Sequence, residues 1–111
     1  MDSYVFQDSR HLNTLLLSHN SIESLASDGF AKCVELEHLD LSGNHIKSTN
    51  RSLLAVNSLV SVNLSYNLLA VLEWTELPES LKTLDVSNNR IAVLSMAYDS
   101  RIRNVKVRLM R

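Results

Sequence analysis

One pattern of eleven residues, LxxLxLxxNxL with isoleucine allowed at the last position, recurs along this chain of 111 residues. Its copies span Leu12–Ile22, Leu36–Ile46, Leu59–Leu69 and Leu81–Ile91, so their starts lie 24, 23 and 22 residues apart. A weaker fifth copy begins at Ile102, 21 residues further on. Because a single copy cannot bury its own apolar face, the copies must stack on one another into an array.

Repeats of this length and spacing are identified as leucine-rich repeats, which implies an α/β solenoid. Leucines alternate in each xLxL segment, so each segment is predicted to be a short strand in a curved parallel sheet on the concave side. The convex side is expected to be irregular or short-helical. The predicted strands lie around Thr14–Leu17, His38–Leu41, Ser61–Leu64, Thr83–Val86 and Asn104–Val107.

We expect one array to fill residues 1–111. It would comprise a partial repeat at 1–11, repeats starting at 12, 36, 59 and 81, and a partial repeat at 102–111. Terminal repeats normally carry a polar cap, and none is evident here. The chain is therefore predicted to be an internal slice of a longer array or a truncated product, capable of end-to-end self-association.

The repeat also predicts which residues are structural. Strand leucines and valines should form two buried columns: Leu15, Leu39, Val62, Leu84 and Val105, and then Leu17, Leu41, Leu64, Val86 and Val107. On the convex side, Phe30 and Leu53 should form a third column, with Cys33 as a small buried hydrophobic residue. Each motif asparagine offers two donors and an acceptor to the bent backbone. The predicted asparagine ladder is Asn20, Asn44, Asn67 and Asn89.

Composition excludes several classes of protein. No run of 18 apolar residues is present, so no membrane span is expected within the chain. No positively charged and then apolar segment opens the sequence, so a signal peptide is not predicted. One cysteine excludes internal disulfides and a cysteine-based zinc cage. The net charge is −6 over residues 1–100 and +5 over residues 101–111. Arg103 and Lys106 alternate with apolar residues, which indicates a solvated strand face and no nucleic-acid partner.

Catalysis, a cofactor and a metal site are not predicted. Asp40 and Asp85 should stand about 9.5 Å apart, two strand spacings. That separation overlaps the carboxylate gap of inverting glycosidases. An open wall, however, offers no means to exclude water or to raise one carboxyl pKa. His19 and His38 occupy different rows and cannot form a close metal pair.

The outward strand positions predict a protein-binding face, with its charge shifting from acidic to basic along the array. Tyr66 is its only aromatic residue, and tyrosine is a frequent interface anchor. The rows are Leu16, Asp40, Asn63, Asp85 and Lys106; Thr14, His38, Ser61, Thr83 and Asn104; His19, Gly43, Tyr66, Asn88 and Leu109; and Asn13, Glu37, Val60, Lys82 and Arg103. The candidate binding residues are His38, Asp40, Ser61, Asn63, Tyr66, Thr83, Asp85 and Asn88.

Two sequons, Asn50-Arg51-Ser52 and Asn63-Leu64-Ser65, make Asn50 and Asn63 candidate N-glycosylation sites. Ten asparagines and 20 serines or threonines among 111 residues predict about two such triplets by chance. The sequons are therefore compatible with secretion but do not indicate it. A glycan on Asn63 would screen the middle of the concave face.

Residues Leu59–Leu94, followed by Arg101–Val107, are similar to repeats in the ectodomains of insect Toll-type receptors. The shared phrase is an acidic-aromatic pair before a Leu-Pro step, here Glu73, Trp74, Leu77 and Pro78. The resemblance implies an extracellular glycoprotein segment of a signalling receptor that binds a protein ligand or a partner ectodomain. The alternative is an intracellular, cytoplasmic leucine-rich repeat scaffold, which the missing signal peptide and the single free cysteine favour.

Overall fold

A computed structural model describes residues 11–72, 74–90, 93–94 and 106–108 of the chain. Its elements run in the order β1 (Thr14–Leu16), β2 (His38–Asp40), β3 (Ser61–Asn63), β4 (Val71–Leu72), a 3₁₀ turn (Trp74–Glu76), β5 (Thr83–Asp85), β6 (Val93–Leu94) and β7 (Lys106–Arg108). Each of the five motif copies thus contributes one three-residue strand.

These five strands form a single parallel sheet in the order β1-β2-β3-β5-β7. Strands β4 and β6 form a separate two-stranded parallel pair. Thr14, His38, Ser61 and Thr83 lie opposite one another in register, and so do Leu16, Asp40, Asn63 and Asp85. The solenoid fold with one parallel sheet is confirmed, and the first two predicted concave rows are correct across β1, β2, β3 and β5.

Inter-repeat hydrogen bonds continue past the end of each strand. The backbone N–H of Leu17 donates to Asp40 O at 2.8 Å, and Leu41 N donates to Asn63 O at 2.8 Å. His19 N donates to Ser42 O, Gly43 N to Ser65 O and Tyr66 N to Ser87 O, each at 3.0 Å. Repeats are therefore joined over about six residues, although only three of these have strand geometry.

The fifth strand was predicted two residues too early. Asn104–Val107 was expected, with Lys106 beside Asp85, but β7 places Lys106 opposite Thr83, Val107 opposite Leu84 and Arg108 opposite Asp85. A shift of two residues keeps every side chain on its own face of a strand, so alternation alone cannot choose between the two registers. Asn104, Val105, Arg103 and Leu109 lie outside the described residues.

The core lies between the sheet and the convex connections. Leu39, Val62 and Leu84 are buried in the first column, and Leu41, Leu64 and Val86 in the second. Leu15 and Leu17, at the β1 end of both columns, are only partly buried and pack against this core. Phe30, Leu53 and Cys33 are buried, as predicted for the convex side, and Val56 is buried with them.

The third convex connection departs from the first two. The place six residues before the next motif leucine, filled by Phe30 and Leu53 earlier, is held by the exposed Thr75. Leu77 and Pro78 are buried instead, after the 3₁₀ turn at Trp74–Glu76. On the same side of the array, Thr49 Oγ donates to Glu76 Oε1 at 2.8 Å and is itself buried.

Motif asparagines hold successive turns together. Asn44 Nδ2 donates to Leu41 O of its own repeat at 2.9 Å and to Leu17 O of the preceding repeat at 3.0 Å. Its Oδ1 accepts the backbone N–H groups of Asn20 and Ile22, both at 2.9 Å. With a longer bond from Nδ2 to Ser42 O at 3.2 Å, one buried amide thus bonds to five backbone groups of two repeats.

Asn67 and Asn89 repeat this arrangement. Asn67 Nδ2 donates to Leu41 O and Leu64 O, and Asn89 Nδ2 donates to Leu64 O and Val86 O, all at 2.9–3.0 Å. Their Oδ1 atoms accept from Ile46 N and Leu69 N, each at 3.0 Å.

Asn20 does not match the inward position expected of it. Its side chain is exposed, and within the described part of the chain its amide donates only to Ser18 O, at 3.1 Å. The ladder bonds of Asn44, Asn67 and Asn89 each reach back to a preceding repeat. Residues 1–10, which would supply that repeat for Asn20, lie outside the described range.

Replacing Asn67 by alanine should cost about 3–5 kcal/mol of unfolding free energy. The change leaves Ile46 N–H without an acceptor inside the core, which costs about 1–3 kcal/mol. It also removes one of the two amide donors of Leu41 O and of Leu64 O, which keep Asn44 Nδ2 and Asn89 Nδ2, at about 1 kcal/mol for each lost bond. Denaturant melts of Asn67→Ala and of the matched variant Asn20→Ala provide the measurement. Asn20→Ala should lose no more than about 1 kcal/mol, and equal losses would contradict a bridging role for the buried amide.

Phe30→Ala should destabilise the chain by about 3–5 kcal/mol, because the ring is 1% exposed and its removal leaves a cavity on the convex side. Val34, 63% exposed on the same connection, supplies the control. Val34→Ala should stay within about 0.5 kcal/mol in the same urea melts. A loss below about 1 kcal/mol for Phe30→Ala would show that the ring does not support the core.

Candidate protein-binding face

The open face of the sheet forms a concave depression of about 330 Å³. It is centred on β2, β3 and β5, whose short strands carry polar side chains outward and leucine or valine inward. Its lining consists of Leu16, His38, Leu39, Asp40, Ser61, Val62, Asn63, Thr83, Leu84 and Asp85. Six of the eight predicted binding residues therefore lie together here.

Three of these residues are fixed by a second ladder that the sequence reading missed. Asp40 Oδ1 accepts Ser42 N at 2.9 Å and Ser42 Oγ at 2.6 Å. Asp85 Oδ1 accepts the same two groups of Ser87, at 3.0 and 2.6 Å. The signal was the triplet Asp/Asn-Leu/Val-Ser, present in three successive repeats. Short polar side chains commonly bond the backbone two residues on.

Asn63 makes the equivalent bonds, which determines the orientation of its amide. Asn63 Oδ1 accepts Ser65 N at 2.9 Å and Ser65 Oγ at 2.7 Å. A backbone N–H can only donate, so the atom facing it must be the amide oxygen. Nδ2, a donor, is left on the open side of the depression. Asp40, Asn63 and Asp85 thus present an acceptor, a donor and an acceptor in adjacent strands.

Leu16 breaks the polar row at its β1 end. It occupies the position of Asp40, Asn63 and Asp85 in register, yet its side chain is 69% exposed. A leucine cannot bond to Ser18 as the aspartates bond to their serines. The row therefore begins with an apolar patch, which the candidate residues taken from the sequence left out.

The second row carries a side-chain hydrogen bond between repeats. His38 Nδ1 lies 2.9 Å from Ser61 Oγ. Thr14 and Thr83 flank this pair in register and are exposed. In the next row Glu37 is exposed, Val60 is half-buried and Lys82 is exposed, so the face has charges of both signs.

Tyr66 and Asn88 do not line the depression but stand on a ledge beyond the strand ends. His19, Gly43, Tyr66 and Asn88 form this ledge, and all four have left-handed backbone with φ between 57° and 68°. A methyl group on Gly43 would collide with the ring of His19, which covers that glycine. Tyr66 is 63% exposed on the ledge, beside the β3 end of the depression.

The two glycosylation candidates differ in the state of their amide nitrogen. Asn50 is exposed in left-handed backbone with φ of 53°, but its Nδ2 donates to Leu25 O at 2.9 Å. The hydroxyl residue of its sequon, Ser52, is buried and donates to Thr49 O at 2.7 Å. Asn63 Nδ2, in contrast, has no acceptor among the described residues and faces the depression.

Three further features of the described part of the chain concern metal binding, membrane spans and the cysteine. No three histidine, cysteine, aspartate or glutamate residues there are placed to hold a metal ion. Among the same residues no helix is long and apolar enough to cross a bilayer. Burial raises the pKa of the Cys33 thiol, which disfavours the reactive thiolate.

Comparison with known proteins identifies the repeats. The leucine rich repeat family matches residues 1–46 and residues 80–98. Toll-like receptor 10 of Bos taurus is 37% identical over 89 residues, which are 78% of this chain and 11% of the receptor. Toll-like receptor 6 of Dasypus novemcinctus is 37% identical over 83 residues, 72% of this chain and 10% of that receptor.

Two further relatives have different contexts. The human PH domain leucine-rich repeat-containing protein phosphatase 1 is 31% identical over 87 residues, 78% of this chain and 5% of that protein. The leucine-rich repeat domain of APL1B has the same fold with a TM-score of 0.72 and 30% identity, covering 88% of this chain and 28% of that one. The chain thus spans about a tenth or less of the length of the curated relatives it matches.

Proposed function

The chain belongs to the leucine-rich repeat family, with repeats resembling those of Toll-type ectodomains, and we propose that it binds a protein partner through its concave face without catalysing a reaction. The observation that carries the proposal is that the polar side chains of the concave row are already held in place. Asp40, Asn63 and Asp85 are held by hydrogen bonds to their own repeats before any partner arrives. Binding to side chains that are already ordered costs less conformational entropy.

An extracellular recognition segment is the context we favour, with a protein ligand or a partner ectodomain as the binding partner. The two Toll-like receptors with 37% identity support it. In that context the chain would contribute recognition to a signalling receptor. An intracellular scaffold is the second candidate, supported by the 31% identity to a phosphatase that carries leucine-rich repeats.

Site-specific photo-cross-linking can test the face and the context together. A photoreactive residue at Thr83, on the concave side, is compared with one at Lys32, which is exposed on a convex connection. Each variant is exposed separately to secreted and to cytosolic proteins, at concentrations where size-exclusion chromatography shows a monomer. We expect saturable adducts from Thr83 with secreted proteins, competed by unlabelled chain but not by its Asp85→Lys variant.

The probe at Lys32, on the convex side, shows which outcomes would contradict the proposal. Adducts from Lys32 alone, or equal competition by wild-type chain and Asp85→Lys, would mean that the concave face is not the binding surface. Adducts only with cytosolic proteins would replace the extracellular context by the intracellular one. Adducts from Thr83 between copies of the chain would make a second copy of the chain the partner of this face.

We further propose that a glycan on Asn63 blocks this face. Its Nδ2 faces the depression, so an attached sugar would occupy the space that a partner needs. Chain made in a secretory host is separated by lectin into fractions with and without glycan at Asn63, verified by peptide mass. The glycosylated fraction should lose the Thr83 adducts, and enzymatic removal of the glycan should restore them. Unchanged adducts in the glycosylated fraction contradict the proposal, and a glycan at Asn50 alone serves as the control.

A further inference from the structure

We infer that the concave row recognises one face of an amphipathic helix in the partner, on which two basic side chains flank a hydrogen-bond acceptor. The inference rests on the proposed function and specifies the chemistry of its partner. It uses four in-register residues, Leu16, Asp40, Asn63 and Asp85. From β1 to β5 these present an apolar group, an acceptor, a donor and an acceptor.

The polarity of this row follows from its internal hydrogen bonds. Serine donors occupy Oδ1 of Asp40 and Asp85, and within residues 11–72 and 75–90 no group donates to the second oxygen of either carboxylate. Those two oxygens can each accept a charge-assisted bond from lysine or arginine. Asn63 Nδ2 between them needs an acceptor, such as a glutamate carboxylate or a glutamine carbonyl. A partner with three adjacent cations would therefore leave the middle position mismatched.

Strand spacing selects a helix as the matching element. In-register residues of neighbouring strands lie about 4.8 Å apart, so the row positions fall at about 0, 4.8, 9.6 and 14.4 Å. Helix residues j, j+3, j+7 and j+10 rise by about 0, 4.5, 10.5 and 15 Å. They also share one face of the helix. In an extended segment, side chains on the same face repeat about every 6.7 Å, so already the second one no longer matches the ~4.8 Å spacing of the strands.

The width of the face agrees with the same occupant. Each strand has three residues, about 10 Å of backbone, and a helix with side chains is about 10–12 Å across. Tyr66 stands exposed on the ledge beside β3 and would form a wall along one side. Leu16, 69% exposed at the start of the row, would cover an apolar residue at position j.

The repeats themselves show which substitutions are safe for the fold. Asp40, Asn63 and Asp85 make the same two bonds to serine through Oδ1, so aspartate and asparagine are interchangeable in this structural role. Asp40→Asn and Asp85→Asn therefore each remove a free acceptor oxygen while keeping the two hydrogen bonds to serine. Asn63→Asp replaces the central donor by an acceptor. Asp28→Asn, on an exposed convex residue, is the matched control for loss of charge.

The probes are labelled alanine-rich peptides of about 20 residues, long enough to be helical. The first peptide carries Leu, Lys, Glu and Lys at j, j+3, j+7 and j+10. The second is the same peptide with lysine in place of glutamate at j+7. The third has the composition of the first, but its four residues are spread around the helix. Fluorescence anisotropy with the full chain gives each affinity. We expect the first peptide to bind about tenfold more tightly than the third, the worth of one charge-assisted bond.

Variants of the row make the inference specific. Asp40→Asn and Asp85→Asn should each weaken the first peptide about fivefold to tenfold, with Asp28→Asn unchanged. Asn63→Asp should reverse the preference at j+7, so that the lysine peptide binds better than the glutamate peptide. Added salt should weaken the first peptide in wild type more than in Asp85→Asn, because screening acts on the ion pairs.

Several results would overturn the inference. These are equal affinities for the first and third peptides, an unchanged preference at j+7 in Asn63→Asp, or no binding of any peptide at millimolar concentration. Each would leave the concave face as a binding surface for a partner of other shape, provided that unlabelled chain competes for the Thr83 adducts and its Asp85→Lys variant does not. If that competition result is not obtained, the proposed function itself is wrong.

Discussion

The array depends on the motif amides that reach back to the preceding repeat, those of Asn44, Asn67 and Asn89. Each motif asparagine sits where the chain turns sharply out of its strand, and a turn inside a core leaves backbone groups that water cannot reach. Asn44 satisfies four of them at distances of 2.9–3.0 Å, two through Nδ2 and two through Oδ1. Because these groups belong to two successive repeats, the amide both shapes its own turn and fixes its neighbour at the distance that sheet hydrogen bonds require. The columns of leucine can then interdigitate.

A second set of bonds, on the other side of the backbone, prepares the face for recognition. Ser42, Ser65 and Ser87 tie one oxygen each of Asp40, Asn63 and Asp85. An exposed carboxylate on a free side chain would pay rotamer entropy to meet a cation. Here that ordering has already occurred on folding, so the fold sets in advance the direction in which the remaining polar atom points. The same residues are thus structural through one atom and available for binding through the other.

Most of the fold could be predicted from the sequence, because the leucine and asparagine positions each admit one environment. The register of β1, β2, β3 and β5 followed from the motif alone. The register of strand β7 did not follow from the motif. Either Val105 or Val107 can face the core beside Leu84, and a shift of two residues leaves each side chain on the same face of the sheet. Exposure of Asn20 depends on what precedes it, which the motif does not encode. The serine ladder was visible as a triplet, but only the geometry shows that Asp40 and Asn63 use the same acceptor atom. Placement of Tyr66 outside the depression likewise required the left-handed turn.

Because one side-chain atom bonds within the fold and the other faces outward, stability and binding specificity depend on different atoms of the same residue. At the row position the fold requires an acceptor at Oδ1 and is indifferent to whether the second atom is oxygen or nitrogen, because it points away from the core. Aspartate and asparagine therefore differ there by a charge and by donor against acceptor, the properties that a partner senses most strongly. Leu16 extends the reasoning, since losing the acceptor at the β1 position leaves a strand that still pairs in register. A solenoid built this way can change what it binds, one repeat at a time, while the asparagine amides and leucine columns that hold it together stay the same.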